Sequence, residues 1–155
     1  KVRLLSENRK SIWSFADIEK VGIFGHSFGG STSIMVAHSN NEIDAVFLLD
    51  AWIVPVPQSV VDSGLNVPVI FMGQDKWENP LNLEKLDTLL TKSRKLADKI
   101  ILDGVYHFDF SDTPHFTKLS KTLGISGKME SDALLDTINT TIISFFTKYL
   151  NRKNN

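Results

Sequence analysis

Five residues, Gly25-His26-Ser27-Phe28-Gly29, constrain this chain more than any other feature. A short apolar run, Val21 to Phe24, precedes them and reads as a strand. After them, small residues lead into Ile34, Met35, Val36 and Ala37, which read as a buried helix. A chain that passes from strand to helix so abruptly must turn very tightly, and the residue at the apex takes a strained backbone conformation. The residues two before and two after the apex then approach each other, so both have to be small. Gly25 and Gly29 meet that requirement, and Gly30 adds clearance between helix and sheet. Such a turn holds Ser27 at the carboxyl edge of a sheet with a helix starting beneath it.

The rest of the chain repeats the same alternation. Ser39-Asn40-Asn41 breaks the helix, and Ile43 to Leu49 is a second buried strand ending at Asp50. A loop bearing Pro55 and Pro57 follows, then a third strand, Val67 to Met72, closed by Gly73. Asn82 is placed to cap a helix whose apolar face is Leu83, Leu86, Leu89 and Leu90. Lys99 to Leu102 makes a fourth strand, and the glycine and polar residues of Asp103 to Phe108 mark a loop. A last long helix begins near Ser131 and is expected to bury Leu134, Leu135, Ile138, Ile142, Phe145 and Tyr149. Ahead of the first strand, Lys1 to Lys20 carries Leu4, Leu5, Ile12, Trp13, Phe15 and Ile18 at loosely helical spacing. Strands alternating with helices predict an α/β domain, a parallel sheet of about four strands flanked by helices on both faces.

Composition narrows the function classes. With 17 Lys and Arg against 18 Asp and Glu, the formal net charge is -1, and there is no basic stripe for nucleic acid. The 42% hydrophobic and 23% charged residues are ordinary for a globular chain. Without cysteine, a disulfide framework and a thiolate metal site are both excluded, and the compartment is left open. No apolar run reaches the ~20 residues of a membrane span. The histidines and carboxylates lack metal-ligand spacing, so neither metal nor cofactor is expected. Asn139-Thr140-Thr141 fits a glycosylation acceptor but falls within the last helix, and Arg152-Lys153 reads as a solvated end.

The strand before it and the helix after it give Gly25 to Gly29 the context of the G-x-S-x-G nucleophile elbow of α/β-hydrolases. Ser27 is then the nucleophile, and the backbone N–H of Phe28 is one donor to an oxyanion. A serine needs a base to take its proton. Among four histidines, His26 is confined within the turn, and His38 lies late in the helix after it. His115 lies further along, near the start of a helix, and reads as a surface or packing histidine. His107, just past the fourth strand, is the base on this reading. The acid has two candidates: Asp50 at the end of the second strand, and Asp75 after the third. Trp52, Ile53, Trp77, Phe108 and Phe110 are candidates to line a pocket for the acyl group.

Three segments together carry a more specific resemblance: Gly25-His26-Ser27-Phe28-Gly29-Gly30, Leu49-Asp50-Ala51-Trp52-Ile53-Val54-Pro55 and Val105-Tyr106-His107-Phe108. The chain resembles the platelet-activating-factor acetylhydrolases of the plasma and type II intracellular kind. Those are α/β-hydrolases that cleave short or oxidised acyl groups from phospholipids without calcium. The resemblance implies a Ser-His-Asp triad of Ser27, His107 and Asp50, a small-molecule ester or phospholipid substrate, and peripheral contact with a lipid surface. The Gly73-Gln74-Asp75-Lys76-Trp77 segment keeps Asp75 as the alternative acid. The resemblance also implies that residues 1–155 are the carboxy-terminal half of an α/β-hydrolase domain, since such a fold has further strands ahead of the elbow that supply a second oxyanion donor. Two rival readings are a dienelactone- or polyester-hydrolase type of carboxylesterase, and a non-catalytic interaction module on the same fold.

Overall fold

The computed structural model describes residues 11–116 and 119–151. Four strands, β1 (Gly22–His26), β2 (Ala45–Leu49), β3 (Val69–Gly73) and β4 (Ala97–Ile101), form one sheet in the order β1-β2-β3-β4. Every neighbouring pair is parallel. Helix α1 (Phe28–Ser39) joins β1 to β2, α2 (Gln58–Ser63) joins β2 to β3, and α3 (Leu81–Lys92) joins β3 to β4. Beyond β4 come a 3-10 turn (His107–Phe110), two four-residue helices, α4 (Thr113–Phe116) and α5 (Leu119–Thr122), and the long α6 (Ser131–Leu150).

Side chains alternate across a strand, and that period separates two cores. On one face Val46 and Leu48 of β2 and Val69 and Phe71 of β3 join Ile34 of α1, Val60 and Val61 of α2, and Leu86 and Leu89 of α3. The other face gathers Ala45, Phe47, Leu49 and Met72 with Leu134, Ile138 and Phe145 of α6. Three crossovers that each step one strand along the sheet in the same hand leave their helices on one face. The final helix then covers the other, with Phe47 meeting Phe145 edge-on at 5.7 Å. All five residues of β2 are buried. A parallel strand covered on both faces reads as a continuous apolar run, which is why Ala45 to Leu49 was legible.

The elements depart from expectation in specific places. β1 extends through Gly25 and His26, because the chain does not turn until Ser27. β2 and β3 both begin two residues later than expected; Pro68, just before β3, has no N–H to give a ladder, though its carbonyl accepts from the Val46 amide. β4 starts two residues early, because an edge strand tolerates exposed Asp98 and Lys99. The proline-bearing loop contains α2, which the sequence reading did not foresee. Within the last helix Leu135 is exposed, not buried. Asn82 does not cap α3, whose N-cap is Pro80. The expected amino-terminal helical segment is a 3-10 turn, Ile12–Phe15, with Ser11 Oγ accepting from the Trp13 amide. The parts of that expectation at residues 1–10, and the basic tail at 152–153, lie outside the described residues.

Candidate active site

Ser27 follows β1 directly and has φ 54 and ψ -121, a backbone state that an L-residue holds only when its surroundings impose it. Its amide donates to the Leu49 carbonyl (3.1 Å), and its carbonyl accepts from the Gly30 and Trp52 amides (3.0 Å each). The turn is therefore tied both to β2 and to the loop after it. A Cβ on Gly25 would collide with the backbone of Gly29, and one on Gly30 with Ala51. Gly29 itself has open space where a Cβ would point. The steric demand thus falls on Gly25 and Gly30; Gly29 contributes its backbone and not its missing side chain, a correction to the symmetric expectation. Phe28 is the first residue of α1, so its N–H belongs to the amides that a helix leaves without an internal carbonyl.

Three side chains converge at the carboxyl edge of the sheet. His107 Nε2 lies 2.9 Å from Ser27 Oγ, and His107 Nδ1 lies 2.6 Å from Asp50 Oδ2. With Nδ1–H donating to the carboxylate, Nε2 is left to accept from the serine hydroxyl. Asp50 is fully buried and has φ 37, the other positive value among non-glycine residues described. A buried carboxylate is stable only when its oxygens are occupied. Oδ1 accepts from the Gln74 amide (3.0 Å) and the Trp77 indole N–H (3.1 Å), and Oδ2 from Gln74 Nε2 (3.0 Å) as well as His107. A Cβ on Gly73 would collide with Asp50 Oδ1 and the Phe71 ring, so the glycine closing β3 leaves room for the Asp50 side chain. Asp75 is exposed on the turn after β3.

The loop following Asp50 is pinned from α3. Asn82, fully buried, accepts from the Ile53 (2.6 Å) and Val54 (3.3 Å) amides and donates to the Ala51 carbonyl (3.0 Å). Lys85 Nζ donates to the carbonyls of Val54 and Val56. This draws Ile53 into the core at 0% exposure, so Ile53 does not line the pocket as expected. Phe110 is likewise buried, packed in the α6-side core.

His107 opens its 3-10 turn, and Asp109 holds the turn's shape. One oxygen of Asp109 accepts from the Tyr106 amide and from the Gly127 amide, at 2.7 Å each. His26 does not touch Ser27 Oγ; its Nε2–H donates to the His107 carbonyl at 3.1 Å. Burial first, and then the nearby His107 ring, push the His26 imidazole below its ordinary basicity, against smaller opposing pulls from its bond to the His107 carbonyl and from Asp50. His38 sits beside Ser63 at 3.4 Å, far along α1 from the turn, and His115 lies within α4, 4.0 Å from Asp132.

A cavity of about 610 Å³ opens beside the relay, and Trp52, Trp77, Tyr106, Phe108 and Ile125 give it apolar walls, with His107 exposed to it. Trp77 has two contacts at once: its N–H reaches Asp50, and its ring meets His107 edge-on at 4.9 Å. Of the expected pocket residues, Trp52, Trp77 and Phe108 line this space.

The family model described as platelet-activating factor acetylhydrolase, isoform II, matches residues 8–155. The chain belongs to that family. Two members of this acetylhydrolase group, both named platelet-activating factor acetylhydrolase, give the scale of the likeness. The protein of Cavia porcellus is 30% identical over 138 residues, 86% of this chain and 31% of its own length. The protein of Gallus gallus is 27% identical over 142 residues, 88% of this chain and 33% of its own. The chain thus spans about a third of the length of the curated relatives it matches. A solved ferulic acid esterase from Streptomyces cinnamoneus is 18% identical and has a TM-score of 0.69, over 99% of this chain and 52% of that one. That likeness establishes a shared fold, the α/β-hydrolase type.

Within this acetylhydrolase fold, sequence reasoning missed four residues around the candidate site. Gln74 gives Asp50 two of its donors, Asp109 shapes the turn that carries His107, Asn82 fixes the loop after Asp50, and His26 grips the His107 backbone. Gln74, Asn82 and His26 act through partners distant along the chain, which local pattern cannot reveal, whereas Asp109 also caps its own turn through the Tyr106 amide three residues back.

Proposed function

We propose that this chain carries an ester-hydrolase site in which Ser27 is the nucleophile, His107 the proton carrier and Asp50 the acid that orients it. One observation carries the reading: an unbroken pair of hydrogen bonds runs from Ser27 Oγ through both nitrogens of His107 to Asp50. His107 takes the proton of Ser27 as the oxygen attacks the ester carbonyl, and Asp50 stabilises the imidazolium that forms. The oxyanion leans on the Phe28 amide. His107 returns its proton to the departing alcohol, leaving an acyl-serine. Water, deprotonated by the same imidazole, then releases the acid and restores Ser27.

The substrate class follows from family membership and cavity together. The relatives are named for acetyl release from platelet-activating factor, and the aromatic walls beside His107 suit an acyl ester of a phospholipid with a short or oxidised chain. Phe108 (52% exposed) lines the cavity, and Leu123 (70%) adjoins the lining residues Gly124 and Ile125 in the chain, an apolar fringe suited to resting on a lipid surface. The test is hydrolysis by the full-length protein of a 2-acetyl phospholipid, its 2-palmitoyl counterpart and p-nitrophenyl acetate. Fast turnover of the acetyl phospholipid and poor turnover of the palmitoyl one is expected. Turnover of the nitrophenyl ester alone favours a small-ester or polyester hydrolase, and no turnover of any of them leaves a non-catalytic module.

A further inference from the structure

We infer that His26 is a positioning residue for the base, holding His107 at bonding distance from Ser27 by gripping the backbone of the turn that carries it. The inference rests on the triad reading above and extends it to a residue outside the triad. His26 ends β1, one residue before the nucleophile, and its Nε2–H reaches the His107 carbonyl although 81 positions separate the two residues in the chain. Its ring lies 4.6 Å from the His107 ring at 33° and 6.4 Å from the Phe110 ring at 27°. The turn His107–Phe110 is therefore held at three points from one side chain: one carbonyl and the rings at both of its ends.

A histidine that only filled space would not need its donor aimed at that carbonyl. The peptide joining His26 to Ser27 is itself held by its N–H, which donates to the Leu49 carbonyl, and the next peptide by the Ser27 carbonyl, which accepts from the Trp52 amide. Nucleophile and base thus share one rigid mount at β1. The N–H of His26 can donate without positive charge, and burial disfavours the charged ring. A neutral neighbour does not oppose the imidazolium that His107 becomes during acyl transfer; a lysine or a charged histidine in that place would.

Two substitutions in the full-length protein separate this role from packing. His26→Phe keeps an aromatic ring and removes the donor; His26→Gln keeps an N–H donor at similar reach. The expected result is a kcat about tenfold lower for His26→Phe, the scale of one lost hydrogen bond. KM should be unchanged, since His26 does not line the substrate cavity. His26→Gln should recover most of the loss. A kcat for His26→Phe equal to the wild type would overturn the inference, as would a His26→Gln variant as slow as His26→Phe. ¹⁵N NMR of the wild-type imidazoles gives a readout that needs no variant to fold: a neutral ring with its proton on Nε2 is expected, and a proton on Nδ1 alone would contradict the bond. A wild type that hydrolyses no ester fails the triad reading first; a wild type that works while His26→Phe works equally well fails only this inference.

Discussion

The side chains of His107 and Asp50 meet at 2.6 Å across 57 positions of sequence, and the carboxylate that meets the imidazole has no exposed surface. Asp75, on the turn after the neighbouring strand β3, is exposed instead. Replacing Asp50 by Asn should therefore lower kcat by about 10⁴-fold, the cost of losing the charge that fixes the imidazole tautomer. Asp75→Asn should leave kcat unchanged. Steady-state hydrolysis of a short-chain ester by the two variants decides the assignment, and the opposite pattern would move the acid to Asp75.

Trp77 supplies one of the bonds that Asp50 receives. Trp77→Phe keeps a ring against His107 and removes the indole N–H, leaving a buried carboxylate oxygen one donor short. We expect kcat to fall about tenfold, within the range for a bond to a charged group. A fall in kcat as small for Trp77→Phe as for Asp75→Asn would show that Gln74 and His107 suffice to hold the acid.

The two glycines flanking Ser27 are unequal. Gly25→Ala would drive a methyl group into the Gly29 backbone, a clash worth about 1–3 kcal/mol of stability. Gly29→Ala meets open space in the first turn of a helix, where Ala is preferred by up to ~1 kcal/mol. Urea unfolding of both variants should find the first destabilised and the second neutral or more stable; equal losses would restore the symmetric picture.

His26 links pH to stability. Its folded-state basicity lies below the ordinary value of 6.5, so as pH falls through that value the unfolded chain takes up a proton that the folded chain refuses. Stability from this group is fully present above pH 6.5 and declines below it. Around the ring stand His107 and Asp50 on one side, and Asp109, Asp112 and His115 across a second cavity of about 340 Å³. The Tm of the wild type should fall more steeply below pH 6.5 than that of His26→Gln, which cannot take up that proton. Parallel curves would contradict the direction of the shift.

Much of this was legible because its causes are local. β2 and β3 lie between two helical layers, so Ala45 to Leu49 and Val69 to Met72 are apolar throughout. Ser27 announces itself because a turn this tight needs Gly25, and His107 because it lies just past the last strand. Most of the missed features depend on partners far along the chain. Ile53 turns inward because Asn82 takes its amide, and nothing near Ile53 signals that. Gly25 and Gly29 look alike in sequence; only the packed turn shows which lacks room. In α2 the exposed Gln58, Ser59 and Asp62 beside buried Val60 and Val61 form a helix too short for its period to stand out.

The most direct measurement is covalent labelling of the folded full-length protein with a fluorophosphonate, read by peptide mass spectrometry. The hydrogen-bonded arrangement of Ser27, His107 and Asp50 predicts one modified site, Ser27, with labelling abolished by Ser27→Ala and strongly slowed by His107→Ala. A folded protein that takes no label at Ser27, or that labels equally fast without His107, would contradict the account.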